Sequence, residues 1–363
     1  MKVLYISNFK DGSGWSNAAL NNVLAMDLNG IDVVARTVTY SNKKYDVPTR
    51  FLELEKKNAI GCDVCIQHVL PTSYVYNSKV KNIGYIACET DSVKYSNWHK
   101  YANLMDEIWV PSKFCLESCK SSRINKPINI VPHSIDPEEI EKINGNKIRE
   151  LENTFNFVFA GEFIERKNIK ALIRAFHMEF HPSEPVNLYI KTSGADLDKV
   201  QKYCDNIKTG LKLRKNYKKE IIVTGMLRRE DYISTLKQCH CFVMPSRGEG
   251  FCIPALEAMA CGLNVLHTSE TGMDDFCYGH SIKSNKERCF GAIESLSNIY
   301  TANEYWREID VEELSFQMRK EFMLWKNKSH QDNKIKMAKS QASNFSHEKL
   351  GLKIKEILNE CNG

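Results

Sequence analysis

Glu249 and Glu257 are the residues whose type and spacing most directly suggest chemistry. They stand in "MPSRGEGFCIPALEAMACG", residues 244–262, on either side of a junction where a strand gives way to a helix. "CHCFVMPS" reads as the strand and "RGEGF" as the loop; Pro254 opens a helix that runs to Cys261 and is closed by Gly262. A helix start exposes unpaired N–H groups and a partial positive charge, and glycines at 248 and 250 let that backbone approach a phosphate. Glu257 shares a helix face with Pro254, and its carboxylate has the acceptor oxygens that vicinal hydroxyls need. The segment therefore suits a diphosphate on backbone amides, a ribose on Glu257 and a sugar near Glu249. A solvated helix start with two favourably placed glutamates fits the same residues.

Two further strand ends carry chemistry. In "FAGEFIERKN" a strand closes at Gly161, and Arg166 and Lys167 stand at the entrance of the next helix. Cations there oppose the helix dipole, and binding a diphosphate would explain them, Arg through its planar fork and Lys as a point charge. A solvated surface pair is the competing explanation. In "NFKDGSGWS", Gly12 and Gly14 lie between the first strand and first helix, where a phosphate-approaching loop or a plain tight turn would fit. The third glycine of the dinucleotide fingerprint is missing and no acidic residue ends a clear second strand, which argues against a nicotinamide or flavin enzyme.

The elements that must position these residues alternate strand and helix. "KVLYIS", "IDVVARTV", "CDVCIQHV", "KNIGYIAC", "DEIWVPS" and "INIVPHS" read as strands, with "NAALNNVLAMDLNG" and "SKFCLESCKSS" as helices. A polar linker near 137–154 interrupts the pattern. It restarts with "FNFVFAG", "NIKALIRAFHMEF", "VNLYIKTSG", "EIIVTGM", a helix near 230–238 and "CHCFVMPS". From 285 onward the chain reads as helical and polar. Two doubly wound parallel sheets are expected, with ligands held in a cleft beyond the carboxyl ends of their strands.

Composition sets the bounds. The 363 residues exceed what one core usually serves, and 42% hydrophobic with 26% charged residues is ordinary for a globular protein. No apolar run approaches the about 20 residues of a spanning helix. "MKVLYISNF" reads as a buried strand rather than an export signal, so the 13 cysteines are expected as reduced thiols in a cytoplasmic setting. A net charge of +5 permits anionic partners without requiring them. Cys62, Cys65 and His68 have the spacing of a metal knuckle but lie in a strand-like segment with no second ligand pair, so no metal is assigned. His177 and His181 suit a helix end, and the lysine-rich 208–220 is read as a solvated face that can also touch nucleic acid or an anionic membrane surface.

"MPSRGEGFCIPALEAMACGLNVL" resembles the E-x7-E segment of the retaining glycosyltransferases of family 4. "DEIWVPSKF", "IVPHSID", "FVFAGEFIERKNIKALIRAF" and "FSHEKLGLKIKEIL" are similar to that family in the same order. The resemblance implies an α/β GT-B architecture. An acceptor-binding Rossmann-like domain would occupy 1–145, a nucleotide-sugar-binding one 146–340, and a helix in 341–363 would cross back to the first. It implies transfer of a sugar from a UDP-, GDP- or ADP-sugar to a glycan, lipid or small-molecule hydroxyl, with no permanent cofactor and no metal. On this reading Glu249 contacts the donor sugar, Arg166 and Lys167 neutralise the diphosphate, and Glu257 holds the ribose. Gly250 and Phe251 offer backbone amides, Gly161 ends the first donor-side strand, and Gly225 and Met226 border the base. Gly12, Gly14, His68, Glu89 and Asp91 fall on the acceptor side. Three departures stand out: Glu162 follows Gly161 where the family often has Arg, Asn168 replaces a glycine after Lys167, and Cys252 replaces another. Transfer to modified nucleic acid bases, or nucleotide-sugar binding without catalysis, are the alternatives left open.

Overall fold

The computed structural model describes residues 1–40, 45–290 and 300–360, which divide into two α/β units. In the first, β1 (Lys2–Ser7), α1 (Gly14–Leu28), β2 (Asp32–Thr37), α2 (Thr49–Lys56), β3 (Val64–His68), β4 (Lys81–Tyr85), α3 (Trp98–Ala102), β5 (Glu107–Val110), α4 (Lys113–Ser121) and β6 (Ile128–Ile130) follow one another. The strands form one parallel sheet ordered β2-β1-β3-β4-β5-β6. Strands β3 and β5 are buried along their whole length, as parallel strands covered on both faces must be.

The second unit begins with α5 (Pro137–Lys142) and continues through β7 (Phe155–Glu162), α6 (Ile169–Glu179), β8 (Val186–Ser193), α7 (Leu197–Leu211), β9 (Ile221–Thr224), α8 (Arg229–Lys237), β10 (Cys241–Met244), α9 (Ile253–Ala260), β11 (Asn264–Thr268) and β12 (Gly279–Ile282). Its parallel sheet is ordered β12-β11-β10-β7-β8-β9. Helix α6 shows why the sequence folds this way: Ile169, Leu172, Ile173 and Phe176 recur at helical spacing and are all buried. The first unit runs to Asp136 and the second takes up the chain at Pro137, with α5 tied into the second. Arg229 pairs with Glu139, and Lys237 Nζ donates to the carbonyls of Glu141 and Ile143 at 2.9 and 2.7 Å.

The wholly helical reading beyond residue 285 needs correction. Strands β13 (Ser284–Arg288) and β14 (Tyr305–Ile309) pair antiparallel before α10 (Val311–Leu324) and α11 (Lys328–Ser343). "SNKER" carries no apolar alternation, so its strand identity comes from its partner. Lys286 and Arg288 lie 4.5 and 5.1 Å from the centre of the Tyr305 ring on that partner. Strands β11 and β12 were also not anticipated.

Helix α12 (His347–Glu360) returns to the first unit, where Leu350, Ile354, Ile357 and Leu358 enter the core with Val3, Tyr5, Val23 and Met26. It lies against α1 so closely that a Cβ on Gly351 would sit 2.2 Å from the carbonyl oxygen of Ala25 and 2.0 Å from Asn29 Nδ2. An Ala in a helix interior ordinarily improves on Gly by up to about 1 kcal/mol. Here the sign reverses: Gly351→Ala is expected to cost about 1–3 kcal/mol in urea unfolding, since backbone must move to admit the methyl. A gain in stability would contradict this packing.

Candidate active site

Two loops at adjacent strand ends form the site in the second unit. β10 pairs with β7, so the segment after β10 lies beside 163–168, which follows β7. Backbone bonds join them: Arg247 N–H donates to the Arg166 carbonyl at 2.7 Å, and the Ser246 hydroxyl donates to the same oxygen at 3.2 Å. Residues 245–250 are buried throughout. On its other side the loop rests on Gly272, whose N–H donates to the Glu249 carbonyl at 2.8 Å. A Cβ at Gly272 would lie 2.2 Å from the Gly250 oxygen, so only glycine admits this approach.

The side chains meet at Glu249. Lys167 Nζ donates to Glu249 Oε1 at 2.6 Å, and Arg166 Nη1 donates to the same oxygen at 3.1 Å and to the Gly248 carbonyl at 2.6 Å. Glu249 is only 5% exposed. Burial works to raise its pKa, but the charges of Lys167 and Arg166 outweigh it and hold the carboxyl below its ordinary value. Arg166 is itself buried, so it braces the β10 loop as well as carrying charge. Gly161 lies beside Lys167: a Cβ there would be 3.4 Å from Lys167 Cδ.

Both departures from glycine occupy left-handed backbone. Asn168 has φ 52° and ψ 44°, a region that Asn tolerates, and its side chain caps α6 by accepting from the Ala171 N–H. Cys252 has φ 102° and ψ 78° immediately before α9, where a side chain is strained. Burial pushes its thiol up to about 12, so it is an inert group there.

Glu257 lies on α9 and is 7% exposed. Its Oε1 accepts from Arg229 Nη1, and Arg229 also reaches Glu139, so the carboxylate expected to hold hydroxyls is oriented by a cation. Phe251 is 3% exposed and stacks on Phe276 with ring centres 4.2 Å apart. Gly225 has φ +85° after β9, and Met226 beside it is 47% exposed.

The residues expected on the acceptor side belong to the first unit. Gly12 has φ +70°, and a Cβ there would meet the Tyr45 ring at 2.7 Å, whereas Gly14 opens α1 with nothing near. His68 is a core residue: it is 1% exposed, bonded through Nδ1 to the Tyr5 hydroxyl at 2.9 Å, with its ring 4.1 Å from that of Tyr85. Burial, and then the neighbouring His133, push its pKa well down, so it is a neutral imidazole. Glu89 accepts from the Tyr300 hydroxyl, and the carbonyl of Asp91 accepts from Ser121.

Several sequence features are structural. Cys65 and His68 point to opposite faces of β3, and among the described residues no three His, Cys, Asp or Glu side chains are gathered as a metal ligand set. In 208–220, Lys208 is buried against Glu220 and Asp205, Arg214 caps the end of α6 through the carbonyls of Phe180 and Met178, and Lys218 donates to the Glu184 carbonyl. His177 lies in the last turn of α6, as expected, where it is buried and bonded to Glu220. No helix among the described residues is long and apolar enough to cross a membrane. Sequence reasoning passed over Arg229 and Arg247. Arg229 opens a helix, a cation against the dipole, the same signal that singled out Arg166 and Lys167. Arg247 holds Glu165 and Glu308 and lies over the Trp306 ring.

Two outcomes are expected from this geometry. Glu249→Gln leaves buried Arg166 and partly buried Lys167 without their anion and should cost about 3–5 kcal/mol at neutral pH in denaturant titration. Because the folded pKa of Glu249 is depressed, its stabilisation is full above the ordinary carboxylate value of about 4.3 and is lost as pH falls through the lowered one. The variant should therefore lose stability less steeply on acidification than the parent. Separately, Cys252→Gly should be more stable than Cys252→Ala by about 1–2 kcal/mol, since only glycine relieves the strained φ. Equal stabilities would remove the strain argument.

A family model described as glycosyl transferases group 1 matches residues 141–277. Over 198 residues the chain is 26% identical to the serotype-specific mannosyltransferase WbdA of Escherichia coli, covering 52% of this chain and 23% of WbdA. It thus spans less than a quarter of that curated relative's length. Anabaena HepE, crystallised with UDP and glucose, superposes with a TM-score of 0.67 at 12% identity, covering 99% of this chain and 100% of HepE. WaaG, a glycosyltransferase involved in lipopolysaccharide biosynthesis, gives 0.63 at 13% identity, covering 98% of this chain and 99% of WaaG. At such identities the likeness speaks for the fold. The match to the glycosyl transferases group 1 model thus falls in the second unit, and the two Rossmann-like units share the fold of GT-B glycosyltransferases.

Proposed function

We propose that the protein is a retaining glycosyltransferase that moves a sugar from a nucleotide diphosphate sugar to the hydroxyl of a glycan, lipid or small molecule. The observation that carries this reading is the buried meeting of Arg166, Lys167 and Glu249 at adjacent strand ends. As the bond from the sugar's anomeric carbon to the diphosphate breaks, its electron pair leaves on the phosphate oxygen. Lys167 has three donors and Glu249 takes one, so the ammonium can serve that oxygen too. The acceptor hydroxyl adds to the anomeric carbon from the same face, and its proton passes to the departing phosphate oxygen. Glu249 has an oxygen already engaged by two cations, which makes it a poor nucleophile and suits it to positioning Lys167 and contacting the sugar. Glu257, held by Arg229, is placed to accept from ribose hydroxyls.

Fixed cations supply the charge that a metal would otherwise bring, which supports metal-independent transfer. The name of WbdA and the ligands in the HepE crystal make mannosyl and glucosyl nucleotides the first donors to test. The cations that made 208–220 look like a nucleic-acid contact are partly spent on internal carbonyls and carboxylates, which favours a different acceptor.

UDP-, GDP- and ADP-sugars should be screened for release of nucleoside diphosphate, with and without a mixture of glycan acceptors. One donor is expected to turn over undiminished in EDTA, and Lys167→Met should lower kcat by about 100-fold or more. The anomeric proton coupling of the product should match that of the donor. An inverted product would overturn retention, and a bound but never consumed donor would favour a non-catalytic binding protein.

A further inference from the structure

Lys191 lies near the end of β8, in register with Ala160 of β7 and Val223 of β9. Side chains alternate along a strand, so Lys191 shares a face with Tyr189, which lies beside Thr235 of α8. Helix α8 packs on α9 and opens with Arg229, the residue that holds Glu257 of α9. Lys191 is thus carried to the side of the sheet where Glu257 lies, and the Glu257 charge acts on it.

Its ammonium is half-buried, yet it has no hydrogen-bond or ion-pair partner among the described residues. Burial pushes its pKa down, against the pull of Glu257. Lysines are rarely taken out of water without a counter-ion, because desolvating an ammonium is costly. The neighbouring cations are engaged: Arg229 with Glu257 and Glu139, Arg166 and Lys167 with Glu249. Arg166 and Lys167 against one carboxylate leave a single net positive charge, whereas the diphosphate of a nucleotide sugar carries two negative ones.

We infer that Lys191 is a further donor-binding residue, whose ammonium takes its missing counter-ion from the diphosphate of the nucleotide sugar. This rests on the donor reading above. It predicts an exchange of stability for binding. Without ligand, Lys191→Met removes a half-buried unpaired charge, so its melting temperature should equal or exceed that of the parent. A lysine needed for structure would show the opposite.

The test is calorimetric titration of the full chain with UDP, GDP and ADP, and with uridine, guanosine and adenosine. The parent is expected to bind at least one diphosphate. Lys191→Met should bind it about tenfold or more weakly, with Lys191→Arg recovering most of the affinity. Nucleoside binding should be unchanged. If Lys191→Met binds the diphosphate as the parent does, the role of Lys191 is overturned and the donor reading stands. An equal loss for nucleoside and diphosphate overturns the diphosphate contact in favour of base or ribose. If the parent binds no diphosphate at all, the donor reading and this inference fall together.

Discussion

A carboxylate shut away from water has to be answered by positive charge, and the geometry of the second unit follows from how Glu249 is answered. Lys167 and Arg166 come from the loop after β7, and Glu249 from the loop after β10. These strands are hydrogen-bonded neighbours in a parallel sheet, so both loops leave the same edge side by side. Arg166 then binds the Gly248 carbonyl, and Arg247 binds the Arg166 carbonyl, so each loop is a template for the other. Neither could hold its shape alone, because each buries polar groups that only the other satisfies.

Unusual backbone flanks this clasp. Asn168 and Cys252 sit in left-handed conformations immediately before α6 and α9, and Gly272 lets a third segment press against the Glu249–Gly250 backbone. The helix starts are thereby aimed at the strand ends, and the charged side chains arrive with little freedom left. For the proposed donor, such groups would need no reorganisation when charge develops on the leaving diphosphate. Glu257 is treated likewise: Arg229 fixes its carboxylate from a third helix.

The sheet order of neither unit was written in local sequence, but the alternation that requires parallel sheets was. β1 to β10 each coincide with a β-branched or aromatic run, because buried parallel strands need such residues on both faces. The polar ribbon at 284–288 was illegible, since its five residues carry no apolar pattern and owe their conformation to Tyr305 and its neighbours. In the site, the types and spacing of Glu249, Glu257, Arg166 and Lys167 were legible. That Arg166 braces a loop, that Arg229 pairs with Glu257, and that Lys191 comes within reach of the Glu257 charge, depends on which strands are neighbours. The burial of His68 was illegible for a related reason: a polar side chain at a strand end gives no local sign that Tyr5 will satisfy it inside the core.

The return of α12 to the first unit has a consequence for how the chain is made. Leu350, Ile354, Ile357 and Leu358 complete a core whose other members begin at Val3. During synthesis, the first sheet emerges before residues 350–358 and lacks one wall until they too have been translated. The second unit, contributed by 137–290 and 305–343 among the described residues, has all its strands available before that wall arrives. Domains usually mature in the order of synthesis. Of the two units, the one made earlier is obliged to wait, with apolar surface beside α1 exposed for the interval.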